Sequence, residues 1–379
     1  MKITLKRTPE QIELVKAMAS RNRTVAYEAQ VALAEFIGPV LAEVINQAPT
    51  LSSLFTTLQF NADDNPSIPL DLYHDVNDED YIKVYSQSHA GGLPTNQVLP
   101  TASEMKIATY SLDTAVSFDR RYAAKSRMDV VSKTFTRAAQ EILAKQETTS
   151  ASLVMGALSE AQTNSVDHVF ENGHGGLNFV LDDINKLMTK AKRIQSSFLG
   201  GSPAGGTAKG ITDLIVSPEV VEKLRAMAYN PINTTGGVRT AGGDSDTSTS
   251  SSVAAPDELR MSVYNNAGLP EFYGISIMEI LELGANKRFT NVFDAAQASG
   301  ASTGAALFTT NDDLVVGIDR SRESLIRAVA VDEDSGGEFN LIADDQYSIR
   351  QQKIGYFGSL EEGRMVLDNR ALVGCIVSA

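Results

Sequence analysis

The chain has 379 residues, 42% of them hydrophobic, which is enough for a substantial core in two domains or one elaborate one and excludes a disordered protein. With 33 Lys and Arg against 47 Asp and Glu, its formal charge of -14 excludes a firm grip on a nucleic-acid backbone, which takes clustered cations that displace counterions. Its one cysteine, Cys375, excludes an internal disulfide and, set in the apolar run ALVGCIV, reads as a buried thiol.

The first residues, MKITLKRTPEQIELVK, lack the apolar core of a secretory signal. No window approaches the uncharged run that crosses a bilayer, so a soluble chain without a membrane partner is expected. Thr8-Pro9-Glu10 opens a first helix, with Thr8 as cap, Pro9 at the first helical position and Ile12, Val15 and Met18 on one side, ending near Arg23. A second amphipathic segment covers 28–45, and Phe36, Val40 and Leu41 are among its apolar residues. Gly38-Pro39 is placed to bend or break it. Two helices before any sheet partner cannot bury both stripes on each other, so they read as an arm that lies on another surface.

From 56 to 110 short alternating runs are separated by turn formers, Asp63-Asp64-Asn65-Pro66 and Gly91-Gly92-Leu93-Pro94. The run Tyr81-Ile82-Lys83-Val84-Tyr85 on one side of the glycine pair and Met105-Lys106-Ile107-Ala108-Thr109 on the other predict a long two-stranded hairpin. An isolated hairpin is marginal in water and its open edges invite pairing with another chain. A strand over 112–118 and the link Asp119-Arg120-Arg121 lead to one long helix over 127–158. Met128, Val131, Phe135, Ala138, Ala139 and Ile142, then Leu153 and Leu158 after a polar interval, form its apolar stripe, opposite Lys133, Arg137, Glu141 and Lys145. At 1.5 Å per residue it spans roughly 45 Å, and burial rather than charge pairing holds it.

Asn172-Gly173-His174-Gly175-Gly176 reads as a break, followed by a helix over 181–194, a loop over 200–210, a buried strand over 211–216 and a helix from Ser217-Pro218-Glu219 to Met227. The Ser/Thr- and Gly-rich stretch 233–255 reads as a surface loop. Further strands are expected near 274–280, 314–318, 324–331, 347–357 and 371–377, with turns at 332–337 and at Glu361-Glu362-Gly363.

Chemistry is scarce. GGSPAGGTAKG is not followed by the Lys-Ser/Thr of a phosphate-binding loop, and His74, His89, His168 and His174 lack metal-ligand spacing. Ser217 has no flanking glycines of a nucleophile elbow, and the pairs Asp63-Asp64, Asp244/Asp246 and Asp344-Asp345 lack the spacing of a calcium loop. No catalytic, cofactor-binding or metal site is expected, and the chain is not expected to be an enzyme.

The order of parts is helical arm, protruding hairpin, strand, long helix, a second domain of strand and helix units, and returning strands. With AQVALAEFIGPVLAEVINQAPTLSSLF in the arm, TYSLDTAVSFDRRYA before the long helix, ITDLIVSPEVVEKLRAMAYN, LPEFYGISIMEI and the closing DDQYSIRQQKIGYFGSLEEGRMVLDNRALVGCIV, it resembles the major capsid proteins of tailed bacteriophages. These share the Hong-Kong-97-type fold with encapsulin shells and herpesvirus capsid floors. The resemblance implies an α+β fold with an N-terminal arm (1–55), an extended hairpin loop (56–110), a peripheral domain with the spine helix (111–178 and 329–366) and an axial domain (179–328 and 367–379).

It further implies self-assembly as hexamers and pentamers into an icosahedral virion shell that encloses double-stranded DNA without sequence-specific binding, made in a host bacterial cytoplasm. A scaffolding protein, a portal and decoration or cement proteins are the other partners it implies. Inter-subunit contacts are expected from Phe36, Val40 and Leu41 in the arm, from Tyr81, Lys83, Tyr85, Leu93 and Lys106 in the hairpin, and from Arg120, Arg121 and Arg137 beside the long helix. Some relatives crosslink a hairpin lysine to a neighbour's asparagine; for Lys83 and Lys106 no crosslink is expected. An encapsulin-type compartment and an unrelated soluble enzyme or binding protein are the alternatives.

Overall fold

The computed structural model describes residues 8–46, 48, 50–61, 64–69, 104–163, 166–198, 210–229, 271–272, 274–298, 308–331, 338–344 and 352–379. Thr8 caps helix α1 (Pro9–Met18) by accepting from the Gln11 N–H, with Pro9 at the first helical position, where a missing N–H costs nothing. Helix α2 (Arg23–Asn46) starts earlier than the apolar pattern suggests and runs unbroken through Gly38-Pro39. Pro39 lies on the exposed side, and Gly38 on the buried side, where a Cβ would sit 3.8 Å from Leu341. A 3-10 turn (Leu51–Leu54) leads to strands β1 (Thr56–Asn61), β2 (Ser67–Pro69), β3 (Glu104–Lys106) and β4 (Thr109–Asp119). The Asp119 carboxylate caps the short α3 (Arg120–Ala124), and α4 (Met128–Ser159) is the expected long helix.

Two units divide the chain: Met1–Pro69, Glu104–Ala151 and Leu325–Met365 form the first, and Leu70–Ser103, Ser152–Ser324 and Val366–Ala379 the second. In the second, after the short strands β5 (Gln162–Thr163), β6 (Val166–Asp167) and β7 (Val169–Glu171), come α5 (Leu181–Phe198), β8 (Asp213–Val216), α6 (Pro218–Tyr229), β9 (Glu271–Phe272), β10 (Ile275–Glu279), α7 (Arg288–Ala298) and β11 (Asp313–Ile318). The first unit then adds β12 (Leu325–Val331), β13 (Asn340–Asp344) and β14 (Lys353–Val366), and β15 (Leu372–Val377) closes the second.

The second unit is a six-stranded sheet ordered β7-β15-β11-β8-β10-β9, with α5 and α6 packed against it through Ile184, Leu187, Ala191, Val220, Val221 and Leu224. Every residue of β8, β11 and β15 is buried, which explains their continuous apolar runs. His168 is a buried core histidine, hydrogen-bonded through Nδ1 to the carbonyls of Asn369 and Leu372, and Cys375 is a buried thiol whose pKa burial pushes up.

The first unit has a five-stranded sheet ordered β1-β12-β14-β13, with β4 also paired to β14. One face is covered. Tyr356 packs edge-on to Phe135 of α4 and stacks on Phe118 of β4, within a core that also takes Leu33, Ile37 and Leu41 of α2 and Val15 and Met18 of α1.

Two expectations need correction, and one helix was not foreseen. Residues 56–61 are not part of the hairpin: β1 pairs in parallel with β12, Thr56 opposite Ile326 through Asn61 opposite Val331. Its alternating TTLQFN needs a neighbour strand, and the apolar LIRAVAV supplies one from some 270 positions away, a pairing no local pattern reveals. β2 and β3 do pair antiparallel, Ser67 opposite Lys106, whereas 70–103, with Tyr81, Lys83, Tyr85 and Leu93, lie outside the described residues, as do 233–255. Glu361-Glu362-Gly363 is no turn but the interior of β14, because the Glu362 charge is compensated where it lies. Finally, helix α7 was not foreseen; its buried Phe289 and Phe293 are four residues apart, too few apolar positions for a clear stripe.

Candidate functional site

Among the described residues most of the exposed large apolar side chains lie in the first unit, which also holds a buried cluster of opposite charges. On α2, Val25, Phe36 and Val40 share one exposed stripe, because steps of eleven and four residues return to the same side of a helix. Phe36 is 53% exposed, whereas Leu41, on the opposite side, is 1% exposed and belongs to the core. The sheet alternates likewise: Leu341, Ala343 and Tyr356 face the helices, while Ile342 and Phe357, directly opposite each other, and Ala115 beside them on β4 face outward. Ile342 and Phe357 are exposed large apolar side chains on a sheet face.

Below the end of α2 lies a buried ionic cluster. The Glu362 carboxylate accepts from Arg327 Nε at 2.9 Å, from Arg364 Nε at 3.2 Å and Nη2 at 3.1 Å, from Gln146 Nε2 at 2.9 Å and from the Tyr110 hydroxyl at 2.9 Å. Burial alone would push the Glu362 carboxyl up, but the two guanidiniums and their hydrogen bonds outweigh it and hold it below the usual range. Tyr110 is pushed up to about 12 by burial and by the Glu362 charge. Arg364 also donates to Ser150 Oγ and lies over the Phe55 ring at 5.5 Å. Thus the polar interval of α4 is not solvated: Gln146 and Ser150 continue the buried stripe and turn it toward these charges.

A cleft of about 400 Å³ adjoins the cluster, walled by the end of α2, the 3-10 turn, β1, Arg327 and Glu338. Arg327 Nη1 donates to Asn46 Oδ1 at 3.1 Å, and Glu338 accepts from Asn46 Nδ2 at 2.8 Å and Gln59 Nε2 at 3.3 Å.

Arg120 is half-buried and committed within its own chain, donating to the Ala19 and Ser20 carbonyls at the end of α1. Lys106, Arg121 and Arg137 are exposed on β3, α3 and α4. The structure therefore brings Phe36 and Val40 together on one stripe, turns Leu41 into the core, and leaves the basic residues dispersed. Arg327, Glu362 and Arg364 were missed; an Arg inside LIRAVAV and a Glu-Gly-Arg inside an apolar strand were the signals that point to buried charge.

In the second unit, Ser217 caps α6 by accepting from the Val220 N–H at 3.2 Å, and its own hydroxyl donates to Asp313. Burial raises the Asp313 carboxyl to about 6, against the hydrogen bonds from Ser217 and the Leu314 N–H. Among the described residues, no group of three or more His, Cys, Asp or Glu side chains is placed to hold a metal ion, and no helix is long and apolar enough to cross a membrane.

No family model and no curated protein matches the chain. Solved structures do. The capsid of the native GTA particle is 12% identical, covering 87% of this chain and 90% of that one with a TM-score of 0.47. The mature capsid of bacteriophage PhiM1 is 9% identical, with 86% of each chain covered and a TM-score of 0.47. The holo-SrpI encapsulin complex from Synechococcus elongatus is 12% identical, covering 73% of this chain and 77% of that one with a TM-score of 0.40.

Proposed function

We propose that the chain is a major capsid protein of the Hong-Kong-97-type fold. It assembles with itself as hexamers and pentamers into an icosahedral phage head that encloses double-stranded DNA. The observation that carries this reading is the uncovered apolar stripe of Val25, Phe36 and Val40 on a helix whose other side is fully engaged in the core. Three large apolar side chains held in solvent on a rigid helix are a surface for a partner. The outward Ile342 and Phe357 add a second such surface on the same unit, so one subunit offers two different apolar faces, as head-to-tail contacts that close into rings require. Many modest contacts then suffice, since each subunit makes several.

On this reading residues 1–55 are the arm and 56–110 the extended loop, except that 56–61 anchor it in the sheet. Residues 111–178 and 329–366 are the peripheral domain, and 179–328 and 367–379 the axial domain. Phe36, Val40, Lys106, Arg121 and Arg137, with Tyr81, Lys83, Tyr85 and Leu93 of the loop, meet neighbouring subunits. The protein resides in the virion after synthesis in the host bacterial cytoplasm, with a scaffolding protein, a portal and decoration or cement proteins as partners. The net charge of -14 lets packaged DNA press on the wall without being bound.

Electron microscopy of the purified chain, alone and co-expressed with its genomic neighbours, with light scattering for mass, tests this. Closed shells or rings of five and six are expected, holding DNA when made with the packaging partners. A discrete monomer or dimer under every condition refutes it.

A further inference from the structure

Two exposed helix faces of the first unit carry opposite charge. On α2, Glu28 and Glu35 are exposed, lie two turns apart and border the Val25, Phe36 and Val40 stripe on one side. From 24 to 46 the sequence has three Glu and neither Lys nor Arg, so the helix holds no cation of its own to pair with them. The stretch 121–140 inverts the sign of the whole chain, with five Lys and Arg against one Asp in a protein of charge -14. Its cations, Arg121, Lys125, Arg127, Lys133 and Arg137, are all exposed, spread along α3 and the first turns of α4. Lys133 and Arg137 stand one turn apart on the side of α4 opposite the buried Val131 and Phe135. Tyr122, 46% exposed, belongs to the same stretch. Neither Glu28 and Glu35 nor the five cations make an ion pair among the described residues.

We propose that the outward face of α2 in one copy docks on the α3–α4 face of a second copy, with Glu28 and Glu35 against Lys133 and Arg137. This rests on the shell-forming reading and names the partner surface within it. Both helices bury their other sides in one core, so within a single copy the two faces point away from it and stay apart. The partner that always carries the complementary charge is another copy. Lys and Arg also suit an apolar stripe: their aliphatic stems lie along it while the charged heads stay polar, and a guanidinium settles over an aromatic ring such as Phe36. At 1.5 Å per residue the two Glu are about 10.5 Å apart and the two cations about 6 Å apart, a difference that long flexible side chains span. Exposed ion pairs are individually weak, so they choose partner and register while the apolar stripe supplies the burial. Because the two faces differ, the contact repeats head to tail from copy to copy.

The test uses the full chain at low ionic strength. Glu28→Lys with Glu35→Lys gives a copy with two basic faces, and Lys133→Glu with Arg137→Glu a copy with two acidic ones. All four positions are exposed, so both variants should keep their circular dichroism and melt within about 2 °C of the wild type. Each alone is expected to lose assembled particles at least roughly ten-fold in electron micrographs, because like charges then meet at every contact. All four substitutions in one chain restore opposite signs, and the yield should return to within about three-fold of the wild type.

Normal assembly of either reversed variant, or a loss that the combined variant does not rescue, overturns the proposal. If Lys133→Glu with Arg137→Glu assembles normally but its particles hold less nucleic acid, the basic face belongs to the packaged polymer instead. If the wild type forms no particles, the shell reading fails, and mixing the two reversed variants still decides the contact. A rise in mass by light scattering on mixing, absent for either variant alone, supports it, and no rise overturns it.

Discussion

Replacing Glu362 by Gln removes the one negative charge between Arg327 and Arg364 while keeping its shape. Five donors converge on that carboxylate at 2.9 to 3.2 Å, and both guanidiniums are nine-tenths buried. A Gln amide offers one acceptor oxygen and turns an NH2 toward the remaining donors. Breaking a buried pair from one side costs about 3–5 kcal/mol, a large part of a domain's usual 5–15 kcal/mol. The chain has no Trp, so urea unfolding is best followed by circular dichroism, with hydrogen exchange reporting on β12 and β14. The midpoint should fall by about 2 M urea with an unchanged slope. Tyr110→Phe serves as the yardstick, since it removes a single donor to the same carboxylate and should cost about 1.5–3 kcal/mol. If Glu362→Gln proves no more damaging than Tyr110→Phe, the carboxylate is not compensating two buried cations, and the account of the cluster fails.

Mild acid should stabilise the second unit. Asp313 has a folded value of about 6 against 3.8 unfolded, so its contribution is favourable below 3.8 and is lost as pH rises through 6. Lowering the pH from 7 to 5 then adds about 1 kcal/mol, and Asp313→Asn should remove that pH response in thermal melts. Glu362 acts in the opposite sense: its lowered folded value gives stability that is present above about 4.5 and lost as pH falls further, which the same melts will show in the first unit. Gly363→Ala would put a Cβ 2.7 Å from the Ala108 carbonyl oxygen, a backbone atom that cannot turn aside, and should cost about 1–3 kcal/mol in urea titration. Leu41→Ala should cost about 2–5 kcal/mol, whereas Phe36→Ser should stay within about 0.5 kcal/mol in stability yet reduce the yield of particles in electron micrographs.

The long helix, the α6 cap at Ser217 and the buried strands of the second unit were legible because each is written in a local pattern. The apolar stripe of α4 has a helical period, Ser217-Pro218-Glu219 is a cap signal, and LVGCIV can only be interior. What stayed hidden depends on partners far away in the chain. TTLQFN is neither half of a hairpin nor a surface meander until LIRAVAV is beside it, and Gln146 looks solvent-facing until Glu362 is placed next to it. The candidate surface was half legible: Phe36, Val40 and Leu41 all look alike in the sequence, and only the position of the core separates the first two from the third. Arg120 looked like a free surface cation, but its reach to the Ala19 and Ser20 carbonyls depends on where α1 ends.

The first unit is assembled from three stretches of chain, and its sheet closes on strands made late. β4 is complete at Asp119, yet the residue opposite it is Lys353, and β1 must find β12 across a similar interval. At ribosomal speeds of about 5–20 residues per second, these strands emerge with a delay on the order of tens of seconds. During that delay the arm has no finished surface to lie on and its core-facing leucines are uncovered. The uncovered stripe of α2 therefore acquires its rigid backing only when the last segment of the unit has been translated, so a nascent chain on the ribosome presents that stripe without the finished sheet behind it.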